Sequence, residues 1–188
     1  MKSTLGKLFF RWTLGMLLFI GVYAFFFPSR EVDLSEVQFS TPSSNRLYFK
    51  NIRAYFYEKE ELEKQKIDIY RMKTSNTEDS LSILSFAIVD HWAVNRSYII
   101  AETSLLNVND QALKIKCEHL SDAIFIELKA EDAEANYKFA AQLLTHLSHP
   151  NKLFVLEKHK GWIPLKNSHK KKFKRSLLDY FKLVGKLH

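Results

Sequence analysis

Apolar and polar residues change period several times along this chain, and each change marks an element. Leu113, Ile115 and Cys117 alternate with Lys114, Lys116 and Glu118, the period of a strand with one buried face. Ala123 to Lys129 repeats the theme, and Arg96 to Thr103 predicts another strand. Leu81 to Val89 is an almost unbroken apolar run whose length suits a strand buried on both faces. Ile67 to Met72 and Leu153 to Leu156 read as further short strands. Leu47 to Tyr57, LYFKNIRAYFY, is dense in aromatic and β-branched residues and predicts a strand or a pair of strands. Glu58 to Lys66, rich in charge and helix formers, predicts a short helix.

The period lengthens in two places. Over Glu131 to His149, Tyr137, Ala140, Ala141, Leu144 and Leu147 recur at spacings of three and four, which predicts a helix with one apolar face. Asp132 and Glu134 suit its first turn, His146 and His149 its last, and Pro150 stops it. Trp162, Ile163 and Leu165 make a small apolar patch around Pro164. From Ser168 a second amphipathic helix runs through Phe173, Leu177, Tyr180 or Phe181, and Val184. The strands follow one another through short polar turns such as Thr74 to Ser80 and Asn107 to Gln111, which favours an antiparallel meander. The expected fold is α+β: one mainly antiparallel-sheet domain with one long helix and a C-terminal basic amphipathic helix.

The N-terminus has no period at all. Leu8 to Phe27 is a continuous apolar segment behind Lys2 and Lys7, about the length of a transmembrane helix. Arg11 near its start can snorkel, Trp12 and Tyr23 sit where interfacial aromatics belong, and Leu17 and Leu18 mark its centre. The exit Tyr23-Ala24-Phe25-Phe26-Phe27-Pro28 lacks the small residues of a cleavage site, so an uncleaved signal-anchor is expected over a cleaved signal peptide. Lys2, Lys7 and Arg11 precede Glu31, Asp33 and Glu36, and the positive-inside rule then sets the N-terminus in the cytoplasm and the domain in the periplasm, a single-pass protein of the bacterial inner membrane. The organisation expected is residues 1–27 as cytoplasmic end and anchor, 28–45 as tether, and 46–188 as the α+β domain.

Charge adds a second polarity. The net charge is +7, yet residues 28–157 hold fifteen Lys and Arg against twenty Asp and Glu. Residues 158–188 hold ten Lys and Arg against Asp179 alone. His169, Lys170, Lys171, Lys172, Lys174 and Arg175 cluster with Phe173 among them. Positive charge in the first turns of a helix opposes its macrodipole, so the cluster is not there to stabilise the helix. Lys170, Lys171, Lys172, Lys174, Arg175 and Phe173 are therefore the candidate partner-binding or surface-binding residues, weighed against a solvated basic face whose stripe packs on its own core. Other envelope proteins are the expected partners, an anionic lipid surface is a further one, and nucleic acid is disfavoured by the topology.

Catalytic chemistry finds little support. Only Gly161 and Gly185 of the five glycines lie outside the N-terminal segment, which disfavours a phosphate-cradling loop, a dinucleotide fingerprint or a nucleophile elbow. His146 and His149, with His159 further on, could face a metal, but a helix-terminal role fits them better. Asp90 and His91 are adjacent, so on a strand they point to opposite faces. Cys117 lies on the apolar side of its strand, and Glu58, Glu60, Glu61 and Glu63 read as a solvated face. Asn95-Arg96-Ser97 matches an N-glycosylation sequon, a short motif that usually arises by chance. No catalytic, cofactor or metal residue is assigned. The expectation is a membrane-anchored, non-enzymatic interaction or assembly subunit of an envelope complex. The alternatives are a membrane-tethered enzyme with an unrecognised site, and an inverted topology whose basic tail binds anionic lipid or nucleic acid.

Overall fold

The computed structural model describes residues 12–13, 16, 33–34, 36–73, 84–103, 113–119, 122–128, 132–148, 152–157 and 161–187. The chain divides into two units, Met1–Val32 and Asp33–His188. In the first, Trp12, Thr13 and Met16 are helical and Trp12 and Met16 are exposed.

The expected membrane anchor is corrected. Among the described residues no helix is long and apolar enough to cross a membrane. A span needs about 20 predominantly apolar residues, whereas the two longest described helices have 15 and 17 residues and carry charged side chains on their outer faces. Arg11, Leu17, Leu18 and Tyr23 lie outside the described residues. The signal-anchor, single-pass and inner-membrane readings rested on that span and are withdrawn with it, as is the periplasmic placement of the domain.

The second unit is α+β, with two antiparallel sheets. Strands β1 (Tyr57–Leu62), β2 (Ile67–Met72), β3 (Leu84–His91) and β4 (Arg96–Thr103) form one, in the order β1-β2-β3-β4. Strands β5 (Leu113–His119), β6 (Asp122–Leu128), β7 (Lys152–Glu157) and β8 (Gly161–Pro164) form the other, in the order β6-β5-β7-β8. The helices are α1 (Ser43–Tyr48), α2 (Ala133–Leu147) and α3 (Asn167–Leu183). Helix α2 packs on β4, β6 and α3, and α3 packs on β3 and β4.

The alternation read from β5 is what the structure uses. Leu113, Ile115 and Cys117 are buried in one core with Ile126, Leu128, Leu153 and Val155 from the strands beside them. From the first sheet Tyr70, Leu84, Phe86, Ile88 and Ile99 join the same core. Each such side chain contributes on the order of 1.5–3 kcal/mol by leaving water. Helix α2 starts where Asp132 accepts a hydrogen bond from the Ala135 amide, 2.7 Å, an N-cap. Its Tyr137, Ala140, Ala141 and Leu144 are buried, and so are Phe139 and Leu143.

Helix α3 turns Phe173, Leu177, Tyr180 and Phe181 inward. It ends in a left-handed cap. Gly185 has φ 76°, its amide donates to the Lys182 carbonyl, and the Lys186 amide donates to that of Phe181 at 2.8 Å.

Two segments exchange their expected states. Leu47 to Tyr57 is helical up to Phe56: α1 continues into a π-helical turn, Phe49–Arg53, and a 3₁₀ turn, Ala54–Phe56. Buried acids on the first sheet and on α3 draw its cations inward, and Phe49 packs against Tyr57 and Tyr70, with ring centroids 5.6 and 5.0 Å away. Glu58 to Lys66, expected as helix, is the edge strand β1 and a 3₁₀ turn, Glu63–Gln65, closed by Lys66 in the left-handed region at φ 58°. Pairing with β2 overrides helix propensity here, and the exposed Glu58, Glu60 and Glu61 suit an edge that must resist pairing with another chain.

The stretch expected as a tether is packed from Glu36 onward. The Ser97 amide donates to the Phe39 carbonyl at 2.9 Å and the Thr41 amide to that of Asn95 at 2.8 Å, beside a bridge between Ser40 and Arg96. Tyr137 donates to the Glu36 carbonyl and Gln38 to that of Val184.

Candidate interaction site

Three cations of the helical segment 43–56 fall at i, i+4 and i+7: Arg46, Lys50 and Arg53. That spacing puts them on one side of a helix, and each reaches a buried acid. Asp68 and Asp90 stand opposite each other on β2 and β3, and Asp90 stands opposite Ser97 on β4. Arg46 Nε donates to both Asp90 oxygens at 3.1 Å, while Ser97 Oγ donates to Asp90 and accepts from Thr41. Lys50 Nζ lies 3.2 Å from Asp68 and 3.7 Å from Asp90. Arg53 binds Asp179 of α3 in a fork, 2.7 Å from Nε and 2.9 Å from Nη2, and Tyr57 donates to the same carboxylate at 2.7 Å. Burial first, and then the Asp179 charge, pushes the Tyr57 hydroxyl well above its ordinary range. The hydrogen bonds that Arg53 donates to Asp179 raise the guanidinium above its ordinary range, against the opposing effect of burial. The Arg46 and Lys50 pairs fix the helical segment to the first sheet, and the Arg53 pair fixes it to α3.

A groove runs between the two. Towards one end a cavity of about 390 Å³ is lined by Tyr48, Arg53, Lys171, Lys174, Arg175, Leu178, Asp179 and Lys182. Towards the other a cavity of about 300 Å³ is lined by Tyr55, Phe56, Met72, Lys73, Lys171, Lys172 and Arg175. Lys171 and Arg175 line both. One wall is the α3 face with positions 171, 174, 175, 178 and 182, which helical spacing brings into one row. The other wall is Tyr48 to Phe56. Arg175 lies over the Phe56 ring at 3.8 Å and Lys73 over the Tyr55 ring at 5.0 Å. Asp179, the acid of this lining, is already bound by Arg53 and Tyr57. Lys171, Lys174 and Lys182 make no ion pair with an acid among the described residues.

Of the residues singled out in the sequence, Lys171, Lys172, Lys174 and Arg175 come together here. Lys170 lies on α3 outside the lining of either cavity. Phe173 does not join them: it is buried, with its ring 5.6 Å from Phe86. The helical row that brings the cations to the groove turns position 173 into the core. Sequence reasoning missed Arg53, Lys73 and Lys182, along with the wall of Tyr48, Tyr55 and Phe56. The i, i+4, i+7 cations were the available signal.

Other candidate chemistry stays apart. Asp90 is held by Arg46 and Ser97 and is almost fully buried, while His91, the next residue, is partly exposed. Cys117 is buried, and burial pushes its thiol up to about 11. His149 and His159 lie outside the described residues. Among the described residues no three His, Cys, Asp or Glu side chains are grouped to hold a metal ion. Compared with known protein families, curated proteins and solved structures, the chain matches none of them.

Proposed function

We propose that the protein is a non-enzymatic interaction or assembly subunit that docks an acidic partner protein in the groove between α3 and Tyr48 to Phe56. The observation that carries this reading is the division of α3 into two used faces. Its apolar stripe, Phe173, Leu177, Tyr180 and Phe181, is consumed by the core. Its cations line an open groove whose acid is already bound. A helix lying on a lipid surface inserts an apolar face, and α3 has none to spare. A cationic groove with aromatic rims suits a protein surface that brings its own carboxylates.

Photo-crosslinking in cells tests the proposal. Tyr55 is 78 % exposed, so p-benzoylphenylalanine in its place should leave the fold intact and face the partner. The expected result is a discrete adduct with an acidic segment of another protein, lost when Lys171→Gln, Lys174→Gln and Lys182→Gln are combined. No adduct, or one that survives the triple substitution, overturns the proposal.

A further inference from the structure

The groove is directional enough to define the kind of segment that fills it. Its two walls run antiparallel: Asn45 Nδ2 donates to the Lys182 carbonyl at one end, and Phe56 stacks with Arg175 towards the other. From Lys171 to Lys182 the α3 wall rises about 16 Å at 1.5 Å per residue. An extended chain covers about 3.3 Å per residue, so five or six residues span it. The walls differ in chemistry. The α3 wall presents Lys171, Lys174, Arg175 and Lys182, with Leu178 and the Arg53-bound Asp179 between the last two. The opposite wall presents Tyr48 and Tyr55, both half-exposed or more, with Phe56 and Met72 beside the second. An extended chain sends successive side chains to opposite sides. Its alternate residues repeat about every 6.7 Å, close to the roughly 6 Å that separates Lys171 from Arg175, one turn apart on α3.

We propose, resting on the docking reading above, that the groove binds an extended segment of five or six residues in which acidic and apolar side chains alternate. The acids face α3 and the apolar side chains face the tyrosine wall. A nucleic acid strand also carries regularly spaced negative charge and stacks on aromatic rings, but Lys73 already covers the Tyr55 ring, which leaves less of it for a base.

Fluorescence anisotropy of the full chain with labelled, end-blocked hexapeptides tests this at about 50 mM salt, where screening is weak. One peptide alternates Glu and Val. Its isomer has three Glu followed by three Val. A labelled hexathymidylate is the third probe. The alternating peptide should bind at least fivefold tighter than its isomer, weaken at least fivefold with Lys171→Gln plus Arg175→Gln, and weaken at least threefold with Tyr55→Ala. Hexathymidylate should bind more weakly than the alternating peptide. If both peptides bind equally and both weaken with the cation variant, the alternation is wrong while docking of acidic proteins stands. If hexathymidylate binds tightest, or if neither peptide responds to the variants, both readings fail. Circular dichroism of each variant, unchanged from the parent, keeps loss of binding separate from loss of fold.

Discussion

Asp179→Asn should lower stability and raise affinity for acidic ligands at once, because one carboxylate both anchors and neutralises the groove floor. Asp179 is 4 % exposed and accepts three hydrogen bonds, two from Arg53 and one from Tyr57. A charge-assisted hydrogen bond is worth about 1.5–3 kcal/mol, and removing one partner of a buried pair costs about 3–5 kcal/mol. The Arg53 side chain keeps 20 % of its surface in water, which relieves part of its lost pairing, and asparagine still accepts one bond. The expected cost is therefore about 3 kcal/mol. With a urea dependence of about 2 kcal/mol per molar, the unfolding midpoint followed by circular dichroism should fall by about 1.5 M. Arg53→Met should cost a similar amount. The double variant should cost less than the sum by about 2 kcal/mol, the signature of a shared interaction. The same Asp179→Asn change adds one unit of positive charge to the groove, so the alternating peptide should bind about two- to fivefold tighter at low salt. A midpoint shift under 0.3 M, or additive single effects, would refute the anchoring role. Unchanged peptide affinity in the folded variant would refute the electrostatic account of the groove.

Two further outcomes follow from burial. Phe173→Ala should destabilise by about 3–4 kcal/mol as a core truncation, whereas Lys171→Ala should change stability by less than about 0.5 kcal/mol; thermal melts compare them, and a neutral Phe173→Ala would return Phe173 to the surface. Stability should also fail from the alkaline side. Burial raises Tyr57, Tyr70 and Tyr180 above their ordinary range and Cys117 to about 11. A group raised on folding contributes fully below its unfolded value, about 8.5 for Cys and about 10 for Tyr, and loses that contribution as pH climbs towards the folded value. The urea midpoint should thus fall above about pH 9 and more steeply above pH 10. Cys117→Ala should flatten the first part of that decline, and a midpoint constant to pH 11 would contradict the burial of these groups.

The sheets were legible where one rule acted alone. In β5 the alternation of Leu113, Ile115 and Cys117 with charged residues admits one pleated arrangement, and the structure adopts it. Helix α2 was legible for the same reason at a different period. The segment 47–56 was not, because its aromatic and β-branched residues argued for a strand. The deciding interactions lie more than forty residues away for Asp90 and more than a hundred for Asp179. Their trace was nonetheless present. Asp68 sits in Ile-Asp-Ile-Tyr, Asp90 closes an apolar strand, and Asp179 stands in Leu-Leu-Asp-Tyr-Phe. A lone acid in an apolar run is unaffordable inside a core unless a cation meets it. Three such acids called for three cations on one face, and Arg46, Lys50 and Arg53 are spaced to supply them.

The same reasoning explains why the basic cluster was half legible. Composition located the charge, but only the helical phase separates Phe173, which the core claims, from Lys171, Lys174 and Arg175 one or two residues either side. That phase depends on which stripe meets β3 and β4, a long-range choice. The second wall of the groove depends on the helical state of Tyr48 to Phe56, and that state depends on the buried acids. The groove is thus a consequence of the ion pairs beneath it: removing Asp179 acts on both walls, while removing Lys171 acts on one.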